Sequence, residues 1–292
     1  MRITSWNLLH GMAIPPTTLA SEGGSMAPSL RTAVEKIGSD VYGFQEVDHF
    51  LPRSNSADQI LEIAQSIGAK DWAFAPNVIG TPGEKWRKLN KNDDELVAHS
   101  SNEIGSYGIG IVSKIAVLEW KRLNLGNSPI GMPLLVPRSG EGDANAGDKE
   151  KFGGLQPIYV RDEPRCALAA VLDNGFTVIN THLSFVPGVN VSQLIRLKRW
   201  ALEIAAETKT TPIIMGDLNL PKNLPIARSS WRSLAAMNTY PSWKPSIQFD
   251  YLLAPSSALE KDGAIESFTH TKSEFTGISD HLPLSVAINQ AV

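Results

Sequence analysis

Two apolar periods alternate along this chain, and together they leave few folds open to it. Short runs rich in Ile, Val, Phe and Leu recur from end to end: "RITSWNL", "DVYGFQEV", "YGIGIVSK", "IAVLEW", "CALAAVL", "FTVINTHL", "TPIIMGDL", "FDYLLA" and "LPLSVAI". Bounded by turn-forming residues, they read as strands. Residues 29–39, 56–68 and 191–208 instead carry apolar side chains at spacings of three and four, the period of a helix with one buried face. Ser56 and Ser192 are the expected N-caps of the last two. Paired strands mixed with crossover helices predict a layered α/β fold, two mixed sheets covered by helices, rather than an all-parallel barrel. With 292 residues and 42% hydrophobic content the core is large, and the length permits one domain or two. Nothing resembles a linker. We therefore expect one domain over 1–292 with a loop insertion at 124–157, whose most polar part is "PRSGEGDANAGDKEKFGG" at 137–154.

A formal charge of −3 gives no global pull toward nucleic acid, so any polyanion must be held locally. The lone Cys166, in the alternating run "CALAAVL", excludes a disulfide framework and fits a small core residue in a reducing compartment. The start, "MRITSWNLLHG", is too short in its apolar stretch for a secretory signal, and no segment is long enough to span a membrane. A cytoplasmic protein without an obligate protein partner is the expectation.

Function is concentrated at strand ends. Asn7, Glu46, His182, Asp217 with Asn219, Asp250, and Asp280 with His281 all fall at or just beyond the ends of predicted strands, where layered α/β proteins gather their ligand sites. Each has an ordinary explanation as a turn residue, a solvated strand end or a core imidazole. The sharpest case is "PIIMGDLNLP" (212–221), an apolar strand ending in Asp217 and Asn219. Either the pair shapes a turn, with Gly216 lending flexibility and Pro221 ending the strand, or it faces a cation or phosphate, as buried polar groups require. On a continuing strand both side chains would share one face while Leu218 points into the core.

In their order, "SWNLLHG", "FQEVD", "YGIGIVSK", "NTHLS", "MGDLNLP", "QFDYLLA" and "SDHLPL", between residues 5 and 284, resemble the motif series of the endonuclease/exonuclease/phosphatase superfamily. That resemblance implies a four-layer α/β sandwich, DNase I-like, with two central sheets flanked by helices, and Mg²⁺- or Mn²⁺-dependent hydrolysis of phosphoesters. Such chemistry needs neutralised phosphate oxygens, an activated in-line water and a stabilised leaving oxygen. Glu46, with Asp280 and Asn7, supplies hard oxygen ligands for Mg²⁺, while soft ligands for structural zinc are absent. His281, at the family's base position, has Asp250 as its expected acidic partner. Asp217 orients the nucleophile or assists the leaving group, and whether it or His281 takes the proton stays open. Asn219 donates its amide to phosphate, His182 and Asn7 hold phosphoryl oxygens, and Tyr107 and Arg165 are further candidates for charge stabilisation. Arg165 is equally well explained as a solvent-exposed residue at a strand start.

The substrate is less legible. "QEVDH" lacks the Thr and Lys that usually follow the metal Glu in abasic-site nucleases, and "GDLNLPKN" lacks the aromatic and Arg residues usual in inositol phosphatases. The chain is more similar to the broad bacterial metal-dependent hydrolase branch. "KWRKLNK" (85–91), expected in a loop with Trp72 and Trp86 nearby, and "RLKR" (196–199) are candidate polyanion contacts, although the acidic "DDE" (93–95) offsets the first. A general phosphoesterase is the first expectation and a DNA endo- or exonuclease the second. A non-catalytic binding module is the third; it would have lost a metal carboxylate or the base, and this chain retains both.

Overall fold

The computed structural model describes residues 1–14, 28–98, 103–137 and 155–291. Along the chain run β1 (Arg2–Asn7), α1 (Pro28–Ile37), β2 (Val41–His49), α2 (Gln59–Ile67), β3 (Asp71–Gly80), β4 (Trp86–Lys88), β5 (Val97–Ala98), β6 (Ser106–Ser113), β7 (Val117–Gly126), β8 (Met132–Pro137) and β9 (Leu155–Val160). They are followed by β10 (Arg165–Leu172), β11 (Phe176–His182), α3 (Val189–Thr208), β12 (Thr211–Asp217), β13 (Trp231–Ser233), β14 (Asp250–Pro255), β15 (Ile265–Thr271) and β16 (Leu284–Gln290). The larger sheet has the order β15-β16-β1-β2-β6-β3-β4, with β5 on β3, and the smaller has β13-β14-β12-β11-β10-β7. Both are mixed: β1 runs parallel to β2 and β11 parallel to β12, while the other pairs are antiparallel.

Three apolar clusters set the layers. Between the sheets pack Ile3, Val41, Ile109 and Ile111 from the larger and Leu168, Val178, Ile213, Met215 and Leu252 from the smaller. On the outer face of the larger sheet Trp6, Phe44 and Phe74 meet Leu30 and Val34 of α1 and Ile60 and Ile63 of α2. On the outer face of the smaller sheet Ile179, Ile214 and Leu253 meet Leu194, Leu197, Ala201 and Ile204 of α3. The order helix, sheet, sheet, helix is the α/β sandwich expected. Among the described residues no helix is long and apolar enough to cross a membrane.

Several local expectations change. Ser56 lies in a left-handed turn (φ 54°), and α2 is capped by Asp58, whose Oδ1 accepts from Leu61 N at 3.1 Å. Ser192 lies inside α3, which begins at Val189 behind Gly188 and has no side-chain cap. Asp58→Ala is therefore expected to cost about 1 kcal/mol; an unchanged melting temperature would exclude that cap. "KWRK" is not all loop, since Trp86–Lys88 pairs with β3, and Trp72 is a buried residue of β3 rather than a loop neighbour. Of the 124–157 insertion, Asn124 to Gly126 complete β7, and β8 and β9 form an antiparallel ribbon from Met132↔Val160 to Pro137↔Leu155. Residues 138–154 lie outside the described residues.

Candidate active site

The C-terminal ends of β1, β2, β11 and β12, the start of β14 and the turn before β16 bring their polar residues together. Tying the two sheets behind them is Asn180, fully buried on β11. Its Nδ2 donates to the Phe44 and Gly110 carbonyls at 2.8 and 2.9 Å, and its Oδ1 accepts from Gln45 Nε2 at 2.6 Å. Burying an amide this deeply is offset by satisfying its donors and acceptor together.

Asn7 is the hub. Its Nδ2 donates to Glu46 Oε1 (2.9 Å) and to Asp217 Oδ2 (3.1 Å), and its Oδ1 accepts from Leu9 N (3.0 Å). In this amide orientation Asn7 aligns two carboxylates, and presenting its oxygen to a cation would require the amide to turn over. Glu46 sits in a bulge of β2, where Phe44↔Gly110 is followed by Val47↔Gly108, and its φ of 55° is left-handed. A bulge re-aims one side chain out of the sheet alternation. Here it turns Glu46 toward Asn7.

A hydrogen-bonded relay lies on the other side of Asn7. His281 Nδ1 is 2.8 Å from Asp250 Oδ2, which also accepts a 2.5 Å hydrogen bond from Thr239 Oγ1, and His281 Nε2 is 3.6 Å from Asp217 Oδ2. Ser279, at φ 60°, fixes the turn by donating to the Asn7 carbonyl (2.6 Å) and accepting from His281 N (3.1 Å), and Trp6 Nε1 donates to the His281 carbonyl (3.0 Å). Tyr240 packs against the imidazole with ring centroids 5.0 Å apart.

The strand-end pair turns and converges at once. Asp217 is the last residue of β12, and Asn219 follows in the left-handed region (φ 49°), so the strand does not continue through the motif. Asp217 Oδ1 accepts from Asn219 N at 2.9 Å, the local bond of an Asx turn, while Oδ2 faces Asn7 and both imidazoles. Leu218 is buried beneath the smaller sheet, as expected. Gly216 is required for space rather than flexibility: at φ 147°, a Cβ there would lie 1.9 Å from the Thr181 carbonyl oxygen. Both amide hydrogens of Asn219 are engaged, with His182 Nε2 at 3.2 Å and the Leu183 carbonyl at 3.0 Å. Its Oδ1 rather than its donor group is left for a ligand in this orientation.

Electrostatics divides the site. Burial, followed by the Asp280 charge, pushes Glu46 up to about 7, and burial raises Asp280 as well. Among the described residues neither carboxylate forms an ion pair. By contrast, Asp217, Asp250 and His281, whose ligand atoms lie within 4.8 Å of one another, balance one another. Burial alone would lower His281, but the charges of Asp250, Asp217 and Asp280 and the Asp250 hydrogen bond outweigh it and hold the imidazole well above its ordinary value. Burial carries Asp217 up to about 6 even against the His281 charge. An imidazolium thus occupies the middle of the three-residue cluster, whereas Glu46 and Asp280 feel its charge without a cation in contact with either. Carboxylate oxygens such as theirs are the ligand chemistry that a hard divalent ion prefers. His182 is held neutral, its pKa pressed well below the usual range by burial and by the Arg165 and His281 charges.

Arg165 is not a solvated strand start. It is 3% exposed, with Nη1 3.2 Å from Glu163 Oε1 and Nη2 3.8 Å from Asp162 Oδ1. Tyr107 is buried with Leu51 and Val78, against Trp86, and burial and the Glu46 and Glu163 charges keep its phenol protonated. Glu163, Thr239, Asn180 and Arg53 join the neighbourhood without having been singled out in the sequence. Asn180 was within reach, inside the "NTHLS" motif. In the basic patches Arg87 is clamped by Asp93 at 2.5 and 2.8 Å and Lys198 donates to the Pro225 carbonyl and Ser229, while Arg196 and Arg199 are exposed.

The chain matches the model of the Endonuclease/Exonuclease/phosphatase family over residues 4–281. It belongs to that family. No curated protein sequence matches it. Solved structures similar to this family member include a mannosyl-6-phosphatase from Bacteroides thetaiotaomicron, 12% identical with a TM-score of 0.58, covering 99% of each chain. An endonuclease/exonuclease/phosphatase from Beutenbergia cavernae is 16% identical with a TM-score of 0.58, over 100% of this chain and 72% of that one. Truncated Caenorhabditis elegans TDP2 is 14% identical with a TM-score of 0.55, over 98% of this chain and 96% of that one. At such identities the likeness is one of fold, and it agrees with the layered sandwich described above.

Proposed function

We propose that this protein is a divalent-metal-dependent phosphoesterase that hydrolyses its substrate by in-line attack of water. The observation that carries this reading is the pairing of an Asp250–His281–Asp217 relay with the buried carboxylates Glu46 and Asp280, both raised by burial and neither in contact with a cation. Mg²⁺ or Mn²⁺ held there by Glu46 and Asp280 would supply charge to neutralise phosphoryl oxygens. The protein's own residues do the rest. Asp250 fixes the His281 tautomer at Nδ1, so that Nε2 and Asp217 Oδ2 form the proton-accepting end of the relay. Because the charges of those two groups act on each other across 3.6 Å, their titrations are linked and the acceptor is the pair rather than either residue alone. A cation held by Asp280 would offset one of the three carboxylate charges that keep the proton on His281, lowering its pKa so that more of the imidazole is neutral and free to accept a proton. Neutral His182 and buried Arg165 are the candidates to face the phosphoryl oxygens, Asn219 holds His182 through its amide, and Tyr107 offers a protonated phenol whose titration feels the Glu46 charge.

Product assays on bis(p-nitrophenyl) phosphate, plasmid DNA, a sugar phosphate, an inositol phosphate and a phospholipid test the proposal. The expected result is turnover of at least one with Mg²⁺ or Mn²⁺ and its loss in EDTA. Failure on every substrate, or turnover indifferent to EDTA, would overturn it.

Asp217→Asn and Asn219→Asp separate a catalytic strand end from a mere turn. Either residue accepts the Asx geometry and the left-handed φ, so melting temperatures should stay close to that of the wild type. Turnover should fall in both, because each exchange swaps acceptor and donor chemistry beside the developing charge. Near-wild-type kcat in both would assign the pair to the turn alone.

A further inference from the structure

Beyond Glu46, away from the His281 relay, the contacts lead to a cation that the proposed hydrolysis does not use. Arg53, in the turn after β2, donates Nε to Asp48 Oδ2 at 2.9 Å and Nη2 to Asp48 Oδ1 at 2.8 Å. Asp48 is fully buried, and its backbone N–H donates to Gln59 Oε1, while Gln59 Nε2 donates to the His10 carbonyl. This bracket joins the turn after β1, which carries Asn7, to the end of β2, which carries Glu46. The guanidinium lies over the Tyr107 ring, 5.5 Å from its centroid, and its side chain is 24% exposed where its partner is 0%. Among the described residues Nη1 makes no hydrogen bond. A planar cation with two nitrogens clamped, one face on an aromatic ring and its third nitrogen uncommitted is preorganised to receive an anionic oxygen.

We propose that Arg53 is a substrate-recognition residue that binds a second phosphate of the same substrate molecule, beyond the phosphoryl group held at Glu46, Asp280 and His182. This inference rests on the phosphoesterase reading for the position of the first phosphate and adds a substrate class to it, a phosphoester carrying two phosphates. The electrostatics agrees with the geometry. Arg53 acts on Glu46, Glu163 and Tyr107, which places its charge at the flank of the site. His10, at φ 47° beside it, is driven down to about 3 by burial and then by the Arg53 charge, so Arg53 stands beside a neutral imidazole. A structural role is the alternative: burying Asp48 requires a counter-charge, and Arg53 supplies it.

The two roles separate in a ratio of affinities. Calorimetric titration of the full chain in Mg²⁺ would compare thymidine 5′-phosphate with thymidine 3′,5′-bisphosphate and fructose 6-phosphate with fructose 1,6-bisphosphate, with ligand integrity checked by chromatography. The first pair represents a nucleotide source of the second phosphate and the other a phosphorylated polyol. Wild type should favour the bisphosphate in at least one pair by about tenfold, the scale of one charge-assisted hydrogen bond. Arg53→Met should reduce that advantage to about twofold or less. General damage from unpairing Asp48 lowers both affinities and leaves the ratio standing. Equal affinities in wild type for both pairs, or an advantage that survives Arg53→Met, would overturn the proposal. If Arg53→Met does not fold, Arg53→Gln carries the test, because its amide can still donate to Asp48 but brings no charge to a second phosphate; an undiminished ratio there is equally fatal. A bisphosphate advantage in a protein that turns over none of the assay substrates would sink the hydrolase reading and leave the Arg53 site intact.

Discussion

His281→Ala is expected to lower kcat by roughly 10²-fold or more, the range associated with removing a general base. The change should fall on kcat more than on KM, because the imidazole assists proton movement in the transition state more than it holds the ground state. Its effect on the pH profile is the sharper measurement. In the proposed mechanism the acidic limb of the wild type belongs to the His281–Asp217 pair, whose members stand 3.6 Å apart and titrate together. Without the imidazolium, Asp217 loses the one charge that opposes its burial, so the carboxyl should titrate above its present value of about 6. The acidic limb should then move toward higher pH rather than vanish. An active alanine variant with the wild-type limb would place the proton on a group outside this relay. Asp250→Asn should resemble a weakened His281→Ala, since it spoils the tautomer lock at Nδ1 while leaving Nε2 in place.

Much of this site was legible because its residues close strands that are themselves legible. A run such as "TPIIMGD" has the apolar content of a buried strand, and polar groups at its end have to be explained by a ligand or a turn. What one dimension could not supply is direction. "GDLN" posed a choice between turn and site, whereas Asp217 uses Oδ1 to make the turn and Oδ2 to face Asn7. A carboxylate has two oxygens, so the alternatives were not exclusive. Arg165 was as plausible on the surface as within the site until Glu163, two residues before it and unremarkable in sequence, proved to pair with it at depth. Arg53 escaped notice for a similar reason: it stands between motifs, and its meaning comes from Asp48 and Tyr107, brought to it by a bulged strand and its neighbour. Helix ends failed on a smaller scale. Ser56 and Asp58 are both good caps, and the left-handed turn at Asn55 and Ser56 passes that role to Asp58.

Glu46→Gln is expected to abolish divalent binding and activity while making the metal-free protein more stable at neutral and alkaline pH. Glu46 titrates at about 7 in the fold against an ordinary value of 4.5, so the folded protein binds its proton more tightly than the unfolded chain does. That contribution to stability is fully present below about pH 4.5 and is lost as pH rises through about 7. Asp217, raised from 3.8 to about 6, adds a loss of the same sign at lower pH. In EDTA the melting temperature should therefore fall between about pH 4 and pH 7, and Glu46→Gln should flatten the upper part of that fall. A shift of this size corresponds to at most about 3 kcal/mol, and each kcal/mol moves the melting temperature by about 2–4 °C in domains somewhat smaller than this one. With Mg²⁺ or Mn²⁺ present the order should reverse. Divalent binding competes with protons for the carboxylates, so wild type should gain more stability from the ion near pH 8 than near pH 5, and Glu46→Gln should gain little at either. Thermal denaturation of both proteins, with EDTA or divalent ion at the two pH values, reads all four corners of this comparison. A divalent-induced shift that survives in Glu46→Gln would remove Glu46 from the donor set, and a variant no more stable than wild type in EDTA near pH 8 would show that its carboxylate is not held at an electrostatic cost.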